Sequence, residues 1–260
     1  MDEIVKMQKF LEKHIELLKP ILEKEKYPEL DFMEKIHYLF FHRFYYNIQA
    51  LTKIFELYRE DGYMIFPIGL LVRTSLLDYM VYLFFIEKLN DVTISDKELE
   101  IKKYLVDAIH RYHLDIDEKL KRREINELQY RQASADVRRL YPEYFKNSEP
   151  IKGSQTSPRK IIDYLKTRNA KLYEESLKAY NAYTMLSKYE HVGAFTYDIY
   201  RSHLRDAKFD IGGIVNCLLQ LHFAIHLIFR HISSDEKLDK ELGDSINILA
   251  EKFDVTTDTV

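Results

Sequence analysis

The sequence predicts an all-α fold, a single multi-helix bundle with a long central antiparallel helical hairpin. Three observations predict it. Apolar residues recur at three- and four-residue spacing along nearly the whole chain, the period of a helix with one buried face. Only 7 Gly and 6 Pro occur in 260 residues, too few turn formers for a fold of many short strands. Helix-start signals recur at Asp31, Ser95, Ser157 and Ser233. With 46% apolar and 31% charged residues, among them 20 Tyr and 15 Phe, the chain has ample material for a core. Collagen, a disulfide scaffold and a fully disordered chain are excluded.

The elements follow in order. Ile4, Met7, Leu11, Ile15, Leu18 and Leu22 form a stripe on an N-terminal helix that ends before Pro28. Asp31-Phe-Met-Glu34 reads as a capping box opening a helix over about 31–60. Arg59-Glu-Asp-Gly62 closes it, and a third helix runs from Ile65 to Leu89 with Pro67 in its first turn. Two long helices around a short turn make the central hairpin. Ser95-Asp-Lys-Glu98 starts a helical stretch to about Leu140, with a break expected near Leu114–Glu118. Tyr141–Ser157 holds Pro142, Pro150 and Gly153 and reads as the one long loop. Ser157-Pro158 supplies an N-cap and a proline at the first helical position. Helices over 158–167, 170–189 and 207–232 follow, with Gly193 interrupting the pattern, and Ser233-Ser-Asp-Glu236 opens a last helix to Phe253. The division expected is one helical domain over 1–255: N-terminal helix 1–27, bundle core 31–232 and C-terminal helix 235–253. Residues 256–260 then form a mobile tail.

Net charge is −3, which argues against a general nucleic-acid coat and leaves any anion site to a local patch. Cys217 is the lone cysteine, so no intramolecular disulfide or zinc ribbon forms. It sits in an apolar run and reads as a core residue. The N-terminus has no basic segment leading into an apolar core, and a reducing cytoplasm is the expected compartment. Met64–Ile86 and Ile211–Phe229 are apolar enough to raise a membrane span. The first carries Arg73 and Asp78 near its middle, and the second carries Asn216, Gln220, His222 and His226. Charge at mid-span is costly in lipid, so both read as buried helices and no membrane partner is expected.

Arg73 and Asp78 are the sharpest anomaly, two charges in an otherwise apolar stretch. Each needs a partner if buried. Five residues put them about 140° apart on a helix, so each should reach a different neighbour. The plain reading is an ion-pair network that fixes helix register; the functional one is an arginine positioned for an anion such as phosphate. Ser187, Tyr189, Glu190 and His191 cluster just before Gly193. Glu190 could tune His191 as a general base, with Ser187 and Tyr189 as ligand contacts, or the group could simply cap a helix end. His222 and His226 have the spacing of a metal pair but no Glu between them, and no cofactor is expected. Glu34-Lys-Ile-His37 and Asp107-Ala-Ile-His110 imitate half-sites of di-iron bundles, at the frequency that 10 His and 42 acids supply by chance. His110-Arg-Tyr-His113 reads as surface. A basic stretch offers Lys121, Arg122, Arg123, Arg131, Arg138 and Arg139 with Tyr130 and Tyr141 as stacking surfaces. That combination suits RNA, and equally a solvated helix face. No Walker loop, dinucleotide fingerprint or Gly-x-Ser-x-Gly elbow is present.

Two features together carry a resemblance. One is the apolar helix with Arg73-Thr-Ser-Leu-Leu-Asp78, and the other is Leu186-Ser-x-Tyr-x-His191 ahead of a further apolar helix. This arrangement resembles the HEPN-like helical proteins of prokaryotes, in particular their branch with an Arg-plus-acid helix and a downstream Ser-x-x-x-His. The likeness covers about Asp31–Ile232 in order of elements and rests on about a dozen positions. It implies an all-α bundle, often dimeric, in a family with many ribonucleases and RNA-binding parts of toxin–antitoxin and anti-phage systems. The family's usual catalytic pattern, Arg, four to six residues, then His, is absent here; Arg111-Tyr-His113 and Arg201-Ser-His203 come nearest. A composite site would instead use Arg73 to hold phosphate and His191 to move a proton, with Glu190, Asp78 and Ser187 around them.

The expectation is therefore a cytoplasmic HEPN-like protein of stress or anti-phage defence. It would bind or cleave RNA or a nucleotide at an inter-helix pocket near Arg73 and His191, as a metal-independent ribonuclease if it is an enzyme. The alternative is a non-enzymatic helical interaction module, acting as a homodimer or by binding a protein partner, for which the many Tyr and Phe supply interface material.

Overall fold

A computed structural model describes residues 2–23, 30–58, 65–147, 149–154, 156–187, 211–233 and 235–252. The fold is all-α: ten α-helices among the described residues and one two-stranded ladder. The helices are α1 (Asp2–Glu23), α2 (Phe32–Tyr58), α3 (Ile65–Asn90), α4 (Lys97–Leu105), α5 (Asp107–Lys121), α6 (Glu127–Leu140), α7 (Pro158–Lys166), α8 (Ala170–Leu186), α9 (Ile211–Ile232) and α10 (Glu236–Lys252). The turn at 59–62, Gly193 and the 256–260 tail lie outside the described residues. Contacts divide the chain into two compact units: Met1–Phe84 with Ile162–Val260, and Phe85–Ile161.

In the first unit α2 and α3 form the central antiparallel hairpin. Phe40 meets Tyr82, Arg43 meets Asp78 and Asn47 meets Ser75, so numbers rise on one helix as they fall on the other. The capping box at the start of α2 forms as its spacing predicts. The Glu34 amide donates to Asp31 Oδ1 at 2.8 Å and the Asp31 amide to Glu34 Oε2 at 2.9 Å. Phe41, Phe44, Phe55, Tyr79 and Tyr82 are fully enclosed and make much of the core. Each such ring buries a large apolar area.

The buried stripe of α1 differs from the expected one. Met7, Leu11, His14, Leu18 and Ile21 are buried, while Ile15 and Leu22 are only partly so. A strict three–four alternation carries the seam through position 14 and turns Ile15 about 100° away from it. An imidazole therefore occupies a core position, held by hydrogen bonds described below.

The second unit centres on α5 and α6. Val106, Ile109 and Val137 form its buried cluster, with Tyr144, Phe145 and Ile151 packed on it. The helical stretch is not broken at Leu114–Glu118, which lies inside α5. The breaks fall at Val106 and at 122–126, where Arg123 takes a left-handed φ of 60°. Asn126 and Gln129 then open α6 with a reciprocal capping box. That box, rather than hydrophobic periodicity, sets the boundary. Asp96 and not Ser95 caps α4, its Oδ1 accepting from the Leu99 amide at 2.9 Å. The expected loop 141–157 contains a 3₁₀ turn (Pro142–Tyr144) and a minimal hairpin, β1 (Phe145–Lys146) with β2 (Glu149–Pro150).

By length and composition Pro67–Asn90 could cross a membrane; 67% of its most apolar window is buried, and a bundle's core helix meets the same criterion.

Candidate functional site

In the first unit, Arg73 and Asp78 turn to different helices, as their angular offset implies. Asp78 is buried and receives two hydrogen bonds from Arg43 on α2, Nε to Oδ2 at 2.8 Å and a terminal nitrogen to Oδ1 at 2.9 Å. Burial raises the Asp78 carboxyl above its ordinary range, and the Arg43 guanidinium works against that rise. Arg73 is half-buried and lies over the Tyr183 ring of α8, 4.4 Å from its centroid, while donating to the Tyr183 hydroxyl at 2.8 Å. Cation–π attraction and a hydrogen bond thus anchor it to an aromatic side chain.

Of the second cluster, Ser187 is described and caps α8, its hydroxyl donating to the Thr184 carbonyl at 2.7 Å. Tyr189, Glu190 and His191 lie outside the described residues, as do Arg201 and His203.

His222 and His226 each direct one ring nitrogen at α10. His222 Nε2 donates to the Leu242 carbonyl at 2.8 Å, and His226 Nε2 meets Asp239 Oδ1 at 2.6 Å. The other ring nitrogen of His222 abuts His14 Nε2, and His14 Nδ1 faces the Phe10 carbonyl at 3.1 Å. Burial lowers the His14 pKa to about 4 and drives that of His222 well below its ordinary value. Among the described residues no three potential metal ligands converge.

The second unit gathers a different set. Helices α5 and α6 run antiparallel, Ile109 beside Val137 and Asp117 beside Tyr130. His110, His113 and Asp117 recur at helical spacing on α5, and Tyr130, Ser134 and Arg138 do so on α6. Both rows, with Leu114, Arg131, Glu149 and Pro150, line a groove of about 530 Å³. The Asp117 carboxylate beside the Tyr130 hydroxyl holds the phenol above its usual range. His110 is fixed by donation from Nε2 to the Ile151 carbonyl at 3.0 Å. His113 Nε2 is enclosed and has no hydrogen-bond partner. Arg138 donates from Nε to the Ser134 carbonyl at 3.2 Å, which sets its direction along α6. Arg131 reaches Glu127 only at 4.0 Å.

The basic residues named from sequence therefore divide. Arg131 and Arg138, seven positions apart and so on one face, line the groove. Lys121, Arg122 and Arg123 stand at the α5–α6 turn, where Arg122 pairs with Glu118 at 3.0 Å. Arg139 lies about 100° round from Arg138 and pairs with Asp136 at 3.3 Å. Tyr130, named as a stacking surface, is in the groove. Sequence reasoning missed His110, His113, Asp117 and Glu149 as members of one site. The signal that finds the first three is their i, i+3, i+7 spacing, a polar stripe opposite a second polar stripe.

The chain matches no family model, no curated protein and no solved structure.

Proposed function

We propose that this protein binds RNA or a nucleotide through the α5–α6 groove. The observation that carries the reading is the pair Arg131 and Arg138 on one face of α6, two turns apart, in a groove that also holds Tyr130, His110 and His113. Two guanidinium groups match phosphate oxygens. A tyrosine ring offers a base a stacking face, the combination single-stranded nucleic acid uses. The resemblance of the sequence pattern around Arg73 and Leu186–His191 to HEPN-like proteins, many of which bind RNA, supports the same ligand class. Photo-cross-linking of a 4-thiouridine-containing single-stranded RNA to the full chain tests it. The reading expects the cross-linked peptide to contain Tyr130; a cross-link confined to other peptides, or none, removes it.

A second reading, homodimerisation, is favoured by α2. Leu39, Tyr46 and Leu57 are 43%, 58% and 50% exposed and fall within about 20° of one line along the helix. An apolar stripe of that kind suits a helix–helix interface. Light scattering on the wild type and on Leu39→Lys with Tyr46→Lys checks it. A dimer that becomes a monomer supports the reading, and a wild-type monomer removes it.

A further inference from the structure

Building on the nucleotide-binding reading above, we infer that the α5–α6 groove selects guanine, with Glu149 as the specificity-determining residue. The argument begins with a carboxylate in an unexpected place. Glu149 stands on β2 and lines the same groove as Arg131 and Arg138. A carboxylate opposes phosphate binding, so an anion-binding groove that contains one has a second task. The groove's other acid, Asp117, already stands beside the Tyr130 hydroxyl. Glu149 is exposed and forms no ion pair among the described residues, so both of its oxygens can accept.

Nucleobases differ in what they present to such a set. Guanine carries the acceptors O6 and N7 on one edge. On its pairing edge it carries adjacent donors at N1 and N2, which the two oxygens of one carboxylate match. Adenine and cytosine place a ring-nitrogen acceptor beside their amino group, and uracil flanks its single N–H with two carbonyls. Each of these three sets a lone pair against a carboxylate oxygen. Guanine alone offers one carboxylate two adjacent donors, while the arginines hold phosphate. Tyr130 supplies the stacking face, and Leu114, 63% exposed, supplies apolar surface in the same groove. A groove of about 530 Å³ is within the ordinary range for small-ligand sites.

The test uses the full chain and two fluorescein-labelled RNA hexamers, uridine at every position save one central guanine or adenine. Fluorescence anisotropy should show the guanine hexamer bound about tenfold more tightly, the discrimination one bidentate contact gives. Glu149→Gln should abolish that preference, the guanine and adenine hexamers then binding with equal affinity. The wild-type comparison needs no variant to fold. Equal affinity for both hexamers overturns the guanine assignment and leaves RNA binding standing. A preference that survives in a folded Glu149→Gln protein overturns the role of Glu149. Absence of binding to either hexamer overturns both this inference and the function it rests on.

Discussion

Arg43 on α2 grips Asp78 on α3 through two parallel hydrogen bonds, and the two ends of that pair live in different surroundings. The Asp78 side chain is 11% exposed and that of Arg43 is 49% exposed. The carboxylate is thus the desolvated partner, and the arginine reaches in from the edge to neutralise it. This explains why an acid is tolerated in the apolar middle of α3, and it makes the pair a register pin for the central hairpin.

Removing only the arginine should be worse than removing both partners. Arg43→Met leaves a buried carboxylate without its counter-charge, and we expect a loss of about 2 kcal/mol in urea unfolding, below the full buried-pair figure because Arg43 is half in water. The double substitution Arg43→Met with Asp78→Leu should recover most of it. If the double variant is as unstable as the single one, the pair is not what positions α2 against α3.

Acid should weaken the first unit through its histidines. The folded protein holds His14 at about 4 and His222 well below its ordinary value, against 6.5 for a free imidazole, because burial disfavours the charged ring. His37 is likewise held at about 4. Below pH 6.5 the unfolded chain therefore binds more protons than the folded one, and stability falls as pH drops toward 4. Each such histidine contributes a slope of up to about 1.4 kcal/mol per pH unit across that window. Urea midpoints measured from pH 7 to pH 5 should decline, and His14→Phe should flatten the decline. A midpoint independent of pH in this range contradicts the buried neutral placement.

Gly153 should tolerate no side chain cheaply. A Cβ there would stand 3.1 Å from Val106 Cγ1 and 3.3 Å from His110 Cδ2. Gly153→Val should lower stability by about 1–3 kcal/mol through overpacking. Because His110 lines the groove, the same change should weaken RNA binding. Unchanged melting and unchanged binding would show that the 151–154 segment does not brace His110.

The helices were legible because their causes are local. The Asp31–Glu34 capping box, the Ser157-Pro158 start and the apolar spacing of α2 and α3 each act within a few residues. The turn at 122–126 was less legible, since Leu114–Glu118 is polar enough to suggest a break while Ile109 and Ile116 keep that segment anchored as helix. At the groove, Arg131, Arg138 and Tyr130 could be named from charge and aromatic content alone. His110, His113 and Glu149 could not, because they join the site only when α5 lies antiparallel to α6 and the 145–150 hairpin folds back beside them. Periodicity reports which face a residue occupies and not which element faces it. Asp78 illustrates the same limit: its need for a partner was plain, but nothing local singled out Arg43.

Groove binding of RNA is tested most directly by the salt dependence of affinity for a single-stranded RNA, comparing the wild type with Arg131→Gln/Arg138→Gln. If the two arginines each hold a phosphate, the slope of log K against log salt should become shallower by about 1.4, since each contact to a single strand accounts for about 0.7. An identical slope in the folded double variant would mean that the phosphates are held elsewhere, and the groove would lose its assigned role.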